Sequence, residues 1–249
     1  MKYIFANWKM YLDYNESVVL SEKLASEKFN LEKMNVAVFP TALALKKVSE
    51  NLSESGIEFG PQDTAWVSKG AYTGGISALM FKDIGCKYAL VGHSERRYVF
   101  GETDEQVRKK VEACLDAGII PVVCIGETAE EKELNQRQEK LAKQLCAVFE
   151  GLKLNETPVM VAYEPLWAIS KSGIGLPCLP EDADDVQGWV KKEIGKYTDQ
   201  SVAVLYGGSV KAENVLSYLS LETVDGVLVG AASSKIETFE QLLQTVEKM

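Results

Sequence analysis

Eight short runs rich in β-branched and aromatic residues recur along the chain, roughly 30 residues apart, with amphipathic stretches between them. They are YIFANW at 3–8, VAVFP at 36–40, IEFGPQ at 57–62, YALVGH at 88–93, IIPVVCIG at 119–126, VMVAYE at 159–164, VAVLYGG at 202–208 and GVLVG at 226–230. Their apolar character is nearly continuous, as expected of strands covered on both faces of a parallel sheet. The intervening stretches read as helices: ESVVLSEKLASEKF from 16, ALALKKVSENL from 42, DEQVRKKVEACLDAG from 104 and EEKELNQRQEKLAKQLCAVFE from 130, the last with leucines at 134, 141 and 145. Thr103 and Thr128 stand where N-caps belong, and Gly118 after Ala117 is a helix stop. Strand–helix alternation forces a parallel sheet with crossovers, and eight such units close into a barrel. The expected fold is therefore α/β, a single (β/α)8 barrel over residues 1–249. An open doubly wound sheet is the alternative, disfavoured because no GxGxxG follows the first strand.

Composition narrows the partners. The 249 residues carry 27 Lys and Arg against 36 Asp and Glu, a formal charge of −9, which argues against nucleic acid or an anionic membrane surface. An anionic ligand must then be held locally. The run IIPVVCI at 119–125 falls far short of the roughly 18 apolar residues of a membrane span. The opening MKYIFANWKMYLD does not read as a secretory signal, so a cytoplasmic location is expected. Five cysteines without CxxC spacing predict reduced, mostly buried thiols and neither a disulfide framework nor a zinc site.

In a barrel of this kind chemistry collects at the C-terminal ends of the strands. The first strand ends in Asn7 and Lys9, the fourth in His93, Ser94 and Glu95, the fifth in Cys124 and Glu127, the sixth in Glu164, the seventh in Tyr206 to Ser209 and the eighth in Gly230. His93, the chain's single histidine, is either a structural imidazole or a catalytic one facing a base on another strand. The helix opened by SERR disfavours its charged form. Glu164 reads as a strand-end ion-pair partner or as a general base whose pKa is raised by Leu166, Trp167 and Ile169. Lys9 is either a surface lysine or the fixed positive charge an acidic protein needs for an anionic substrate. YGGSV at 206–210 and LVGAAS at 228–233 follow the last two strands, where barrels bind phosphate on backbone amides.

FANWKM at 5–10, GAYTG at 70–74, VGHSERR at 91–97, FGETDE at 100–105, CIGET at 124–128, AYEPLWAI at 162–169, YGGSV and LVGAAS together resemble the triosephosphate isomerase family over the whole chain. The resemblance implies a glycolytic and gluconeogenic enzyme interconverting dihydroxyacetone phosphate and D-glyceraldehyde 3-phosphate. It also implies the roles this family is known for: Glu164 as base, His93 as neutral electrophile, Asn7 and Lys9 as an oxyanion-type site, and Glu95 as a supporting carboxylate. Phosphate would rest on amides around Ser170, Ser209, Gly230 and Ala231, under a lid at 170–180. No metal or organic cofactor is implied. A homodimer is, through the loop at Gly70 to Gly75, which would bring Thr73 toward Asn7 and Glu95 of the other subunit.

The chain departs from the family pattern in four places. Gly75 stands where a glutamate is usual, removing the cross-subunit carboxylate expected for Arg96. Ala231 replaces a second glycine, tolerable if its φ is negative. Lys191 stands where an arginine usually pairs with the equivalent of Asp225. SKSGIGLPCLPE lengthens the lid by three residues and rewrites its second hinge, and it places Cys178 in an exposed position. Two other functions remain open at this point: a different phosphate-handling isomerase or epimerase barrel, and a metabolite-binding protein without turnover.

Overall fold

The computed structural model describes residues 1–154, 156–169 and 178–249. Eight strands, β1 (Lys2–Asn7), β2 (Met34–Phe39), β3 (Glu58–Phe59), β4 (Tyr88–Val91), β5 (Ile120–Ile125), β6 (Met160–Tyr163), β7 (Ala203–Tyr206) and β8 (Gly226–Val229), alternate with helices. Among the described residues the helices are α1 (Tyr14–Ser26), α2 (Ala42–Leu52), α3 (Ala78–Asp83), α4 (Ser94–Tyr98), α5 (Asp104–Asp116), α6 (Ala129–Glu133), α7 (Arg137–Phe149), α8 (Pro180–Ile194), α9 (Val215–Leu219) and α10 (Ile236–Glu247). Every strand pairing is parallel, and β1 pairs with both β2 and β8. The hydrogen-bonded order β3-β2-β1-β8-β7-β6-β5-β4 leaves one seam, between β3 and β4. Two backbone bonds cross it: Lys87 N–H donates to Phe59 O at 3.1 Å and Leu90 N–H to Pro61 O at 3.0 Å. Gly60 permits that approach, since a Cβ there would lie 2.0 Å from the Tyr88 carbonyl oxygen.

Successive strand residues point to opposite faces, and both faces are dry. Phe5, Phe39, Tyr88, Leu90, Val122, Cys124, Met160, Ala162, Leu205 and Leu228 form one buried cluster inside the barrel. Their neighbours Ile4, Ala6, Val38, Val91, Val123, Val161, Val204 and Val229 join the larger cluster shared with the helices. Hence the strands read as continuous apolar runs. Inside, Phe5 lies 4.7 Å from the Tyr88 ring and 5.5 Å from that of Phe39, centroid to centroid.

Thr103 and Thr128 cap α5 and α6 as expected, each in a reciprocal capping box, with Gln106 and Glu131 reaching back to the cap N–H. Gly118, at φ +68°, follows α5. The stretch from Glu130 to Glu150 is not one helix. It breaks at Asn135, whose left-handed φ of 58° an asparagine tolerates. Leu134, expected on the apolar stripe, is exposed, while Leu141 and Leu145 are buried on α7. No helix among the described residues is long and apolar enough to cross a membrane.

Candidate active site

The alternation that fills the barrel also aims its last side chains. Continuing the inward-facing series Met160, Ala162 brings Glu164 into the barrel mouth, and Phe5 is followed by Asn7 in the same way. A cavity of about 380 Å³ lies there, lined by Asn7, Lys9, His93, Glu164, Ser209, Gly230 and Ala231 among others. The structure thus gathers most of the residues singled out from sequence. Glu95 lines the adjoining groove instead, and Ser170, with the lid segment to 177, lies outside the described residues.

Glu164 is 2% exposed. Its Oε2 accepts the Ser94 N–H at 2.9 Å, and its Oε1 lies 2.9 Å from His93 Nε2. Gly126 walls it from behind, because a Cβ there would stand 1.9 Å from the Glu164 carbonyl oxygen. His93 caps α4 and accepts the Glu95 N–H on Nδ1 at 3.2 Å. With Nδ1 an acceptor, the ring proton sits on Nε2, giving a neutral imidazole that donates to Glu164.

The sequence expectation for the Glu164 pKa needs correction. Burial does push it up, and is the largest single influence, but the opposing interactions together prevail. The nearby His93, by charge when protonated and by its hydrogen bond, the Ser94 N–H and the Lys9 ammonium hold the carboxyl below its usual 4.5. A carboxyl with a lowered folded pKa contributes stability above its unfolded value, and loses it as pH falls through the folded value. Glu164→Gln is therefore expected to cost about 1–3 kcal/mol at pH 7, with the gap to wild type closing as pH falls below 4.5. Urea unfolding at stepped pH checks this; a gap that persists unchanged in acid contradicts it.

Lys9 adopts a left-handed φ of 50°, uncommon for a residue with a side chain. Two contacts hold it: its N–H donates to Asn7 Oδ1 at 3.0 Å, and its carbonyl accepts from Gln62 Nε2 at 2.7 Å. Its ammonium then reaches Glu95 Oε1 at 2.8 Å. Gln62, which also donates to Phe39 O at 2.9 Å, was not singled out from sequence. The strand-end criterion would have found it, since it closes IEFGPQ.

At the ends of β7 and β8, Ser209 Oγ donates to Ala168 O at 2.8 Å, and Ala231 opens a single 3-10 turn ending at Ser233. Ala231 has no positive φ, so its methyl is tolerated. Glu127, which closes the fifth apolar run, is fully buried beside Trp167. One of its oxygens meets Tyr163 OH at 2.9 Å, Trp167 Nε1 at 2.8 Å and Arg137 Nε at 3.1 Å. Burial raises its pKa against these three donors.

The departures now have structural answers. Arg96, for which Gly75 offers no carboxylate, has Asp63 of its own chain at 3.0 Å. Lys191 places its ammonium between both oxygens of Asp225, at 2.9 and 2.8 Å. Cys178 is not exposed: it is 2% accessible, and burial pushes its thiol up to about 11. No cluster of His, Cys, Asp and Glu among the described residues could hold a metal ion.

The family model described as triosephosphate isomerase matches residues 2–246. The triosephosphate isomerase of Dictyoglomus thermophilum is 38% identical over 249 residues, covering 98% of this chain and 99% of its own. That of Francisella philomiragia is 38% identical over 252 aligned positions, covering 100% and 98%. That of Citrifermentans bemidjiense is 39% identical over 249, covering 98% of each. The chain belongs to the triosephosphate isomerase family and is an aldose–ketose isomerase.

Proposed function

We propose that one barrel domain spanning the chain interconverts dihydroxyacetone phosphate and D-glyceraldehyde 3-phosphate by proton transfer through an enediolate, with Glu164 as base. The supporting observation is the juxtaposition of a buried carboxylate, a neutral imidazole and an ammonium in one cavity. Glu164 and His93 satisfy each other. A substrate whose carbonyl oxygen takes the His93 Nε2 proton as its hydrogen-bond donor frees Glu164 Oε1. The carboxylate then removes a proton from the hydroxyl-bearing carbon, and the carbonyl π electrons pass to the oxygen. Lys9 and the imidazole stabilise the charge gathering there, with Asn7 beside them. The hydroxyl proton of the first carbon passes, with His93 Nε2 between the two oxygens, to the former carbonyl oxygen, and Glu164 returns its proton to the former carbonyl carbon, so no net redox change and no cofactor is needed. Ser209, Gly230 and Ala231 carry the phosphate on amides at the start of a helical turn.

Purified protein free of host enzyme should interconvert the two triose phosphates in a coupled dehydrogenase assay. Absence of turnover in both directions refutes the proposal. We further propose a cytoplasmic homodimer through Gly70 to Gly75. Exposed Tyr72, Ile76, Met80, Val99 and Phe100 support the association. Sedimentation equilibrium showing only the 27.5 kDa species would exclude it.

A further inference from the structure

We infer that Asp63 is a positioning residue for the Lys9–Glu95–His93 half of the site; the inference rests on the isomerase reading above. Asp63 bridges two cations: Oδ1 lies 2.5 Å from Lys110 Nζ, and Oδ2 lies 3.0 Å from Arg96 Nη2. The Lys110 side chain is 4% exposed and also pairs with Glu102, whose side chain is 3% exposed. Two cations thus face two carboxylates, Lys110 and Glu102 buried and Arg96 and Asp63 half-buried beside them, and the buried lysine is balanced by both acids.

Glu102 does not substitute for Asp63 on Arg96. Its Oε2 stands 4.0 Å from Arg96 Nε, and neither of those buried atoms has a hydrogen-bond partner. The Arg96 guanidinium is therefore fixed by Asp63 and by the Phe100 ring, 4.9 Å from its carbon.

Arg96 matters because α4 is too short to hold itself. Five residues make few internal bonds, so side-chain anchors set its direction. Arg97 ties one side, donating to Gly92 O at 2.7 Å and Cys124 O at 3.2 Å. Arg96 ties the other. Between the cap His93 and Arg96 sits Glu95, whose N–H fixes the imidazole and whose carboxylate fixes Lys9. The residue before Asp63, Gln62, holds the Lys9 carbonyl. One dipeptide, Gln62–Asp63, thus grips both the turn that carries Lys9 and the helix that carries His93 and Glu95. With Asp63 neutralised, Arg96 is left beside Glu95, the acid that Lys9 requires.

Asp63→Asn is expected to lower kcat about tenfold, with KM changing less than about threefold, because the misplaced groups act on the reacting oxygens and the phosphate side is untouched. The chain has one histidine, so its two imidazole 15N resonances report this site without turnover. Both should shift in Asp63→Asn. Lys191→Gln, which breaks the Asp225 pair at the other end of the barrel, is the control for general destabilisation and should leave both resonances and kcat in place. Asp63→Glu should restore part of the rate. Arg96→Gln added to Asp63→Asn should cost no further kcat, since the two act as one unit.

Unmoved histidine resonances with kcat within twofold of wild type, or losses that multiply in the double variant, overturn the inference. Should Asp63→Asn fail to fold, Asp63→Glu and Arg96→Gln carry the test by the same two readouts. A wild-type chain without turnover fails the isomerase reading instead, and the resonances still decide the role of Asp63.

Discussion

Glu164→Asp lowers kcat about 10³-fold and leaves KM within a few-fold of wild type. That is the expected result of drawing the carboxylate back by one methylene, about 1.5 Å, when a misplacement of about 1 Å can cost 10²-fold and general-base catalysis is worth 10²–10⁴. The retreat cannot be absorbed. Glu164 is 2% exposed, its backbone is anchored by its N–H to Ile125 O at 2.7 Å, and Gly126 backs it with no space to spare. KM holds because the phosphate contacts we propose lie on the ends of β7 and β8. Steady-state kinetics in both directions measure the split, and a kcat within tenfold of wild type removes Glu164 from the role of base.

Lys9→Met should be as severe, but with a different signature. Its ammonium, 12% exposed, lies against the cavity of a chain with net charge −9, and it offsets the charge of Glu95 and Glu164 there. A dianionic substrate meets that charge on entry, so KM rises. The enediolate oxygen meets it more strongly, so kcat falls as well. Removing one neutral oxyanion donor typically costs 10²–10³ in kcat; with the binding loss added, kcat/KM should drop about 10³–10⁴-fold. Methionine keeps the length of the stem, and the left-handed turn is held through the backbone by Asn7 and Gln62, so the fold persists. Unchanged kcat and KM in a folded variant would exclude Lys9 from the site.

The barrel was legible because its strands are buried on both faces, which turns eight segments into conspicuous apolar runs. β3 was legible only as a run: two residues form its ladder, and the rest of IEFGPQ bends away to place Gln62 and Asp63. Strand ends announced Asn7, Lys9, His93 and Glu164, since polar groups after apolar runs stand out. What the sequence did not disclose depends on contacts between distant segments. The direction of the Glu164 pKa turns on Ser94 and His93, seventy residues away. Arg96 pairs with Asp63 from a distant loop of its own chain. Cys178, read as exposed in a lengthened loop, is covered, with Tyr218 OH bonded to its carbonyl at 2.6 Å. The break at Asn135 escaped because the leucine spacing across it still fits a helix.

The seam between β3 and β4 sets an order of failure. Only two backbone bonds cross it, while β5 and β6 or β6 and β7 are laced through four registered pairs each. Gln62 and Asp63 hang from the last residues of that seam, and His93 follows β4 directly. Thermal opening there would disperse the electrophilic half of the site while Glu164, on the well-laced arc, stays put. Amides of Lys87 and Leu90 should accordingly exchange faster than those of Glu164 and Gly207 as measured by native-state hydrogen exchange. Activity should be lost on warming several degrees before the helices melt, because the electrophilic half of the site hangs from this sparsely bonded seam.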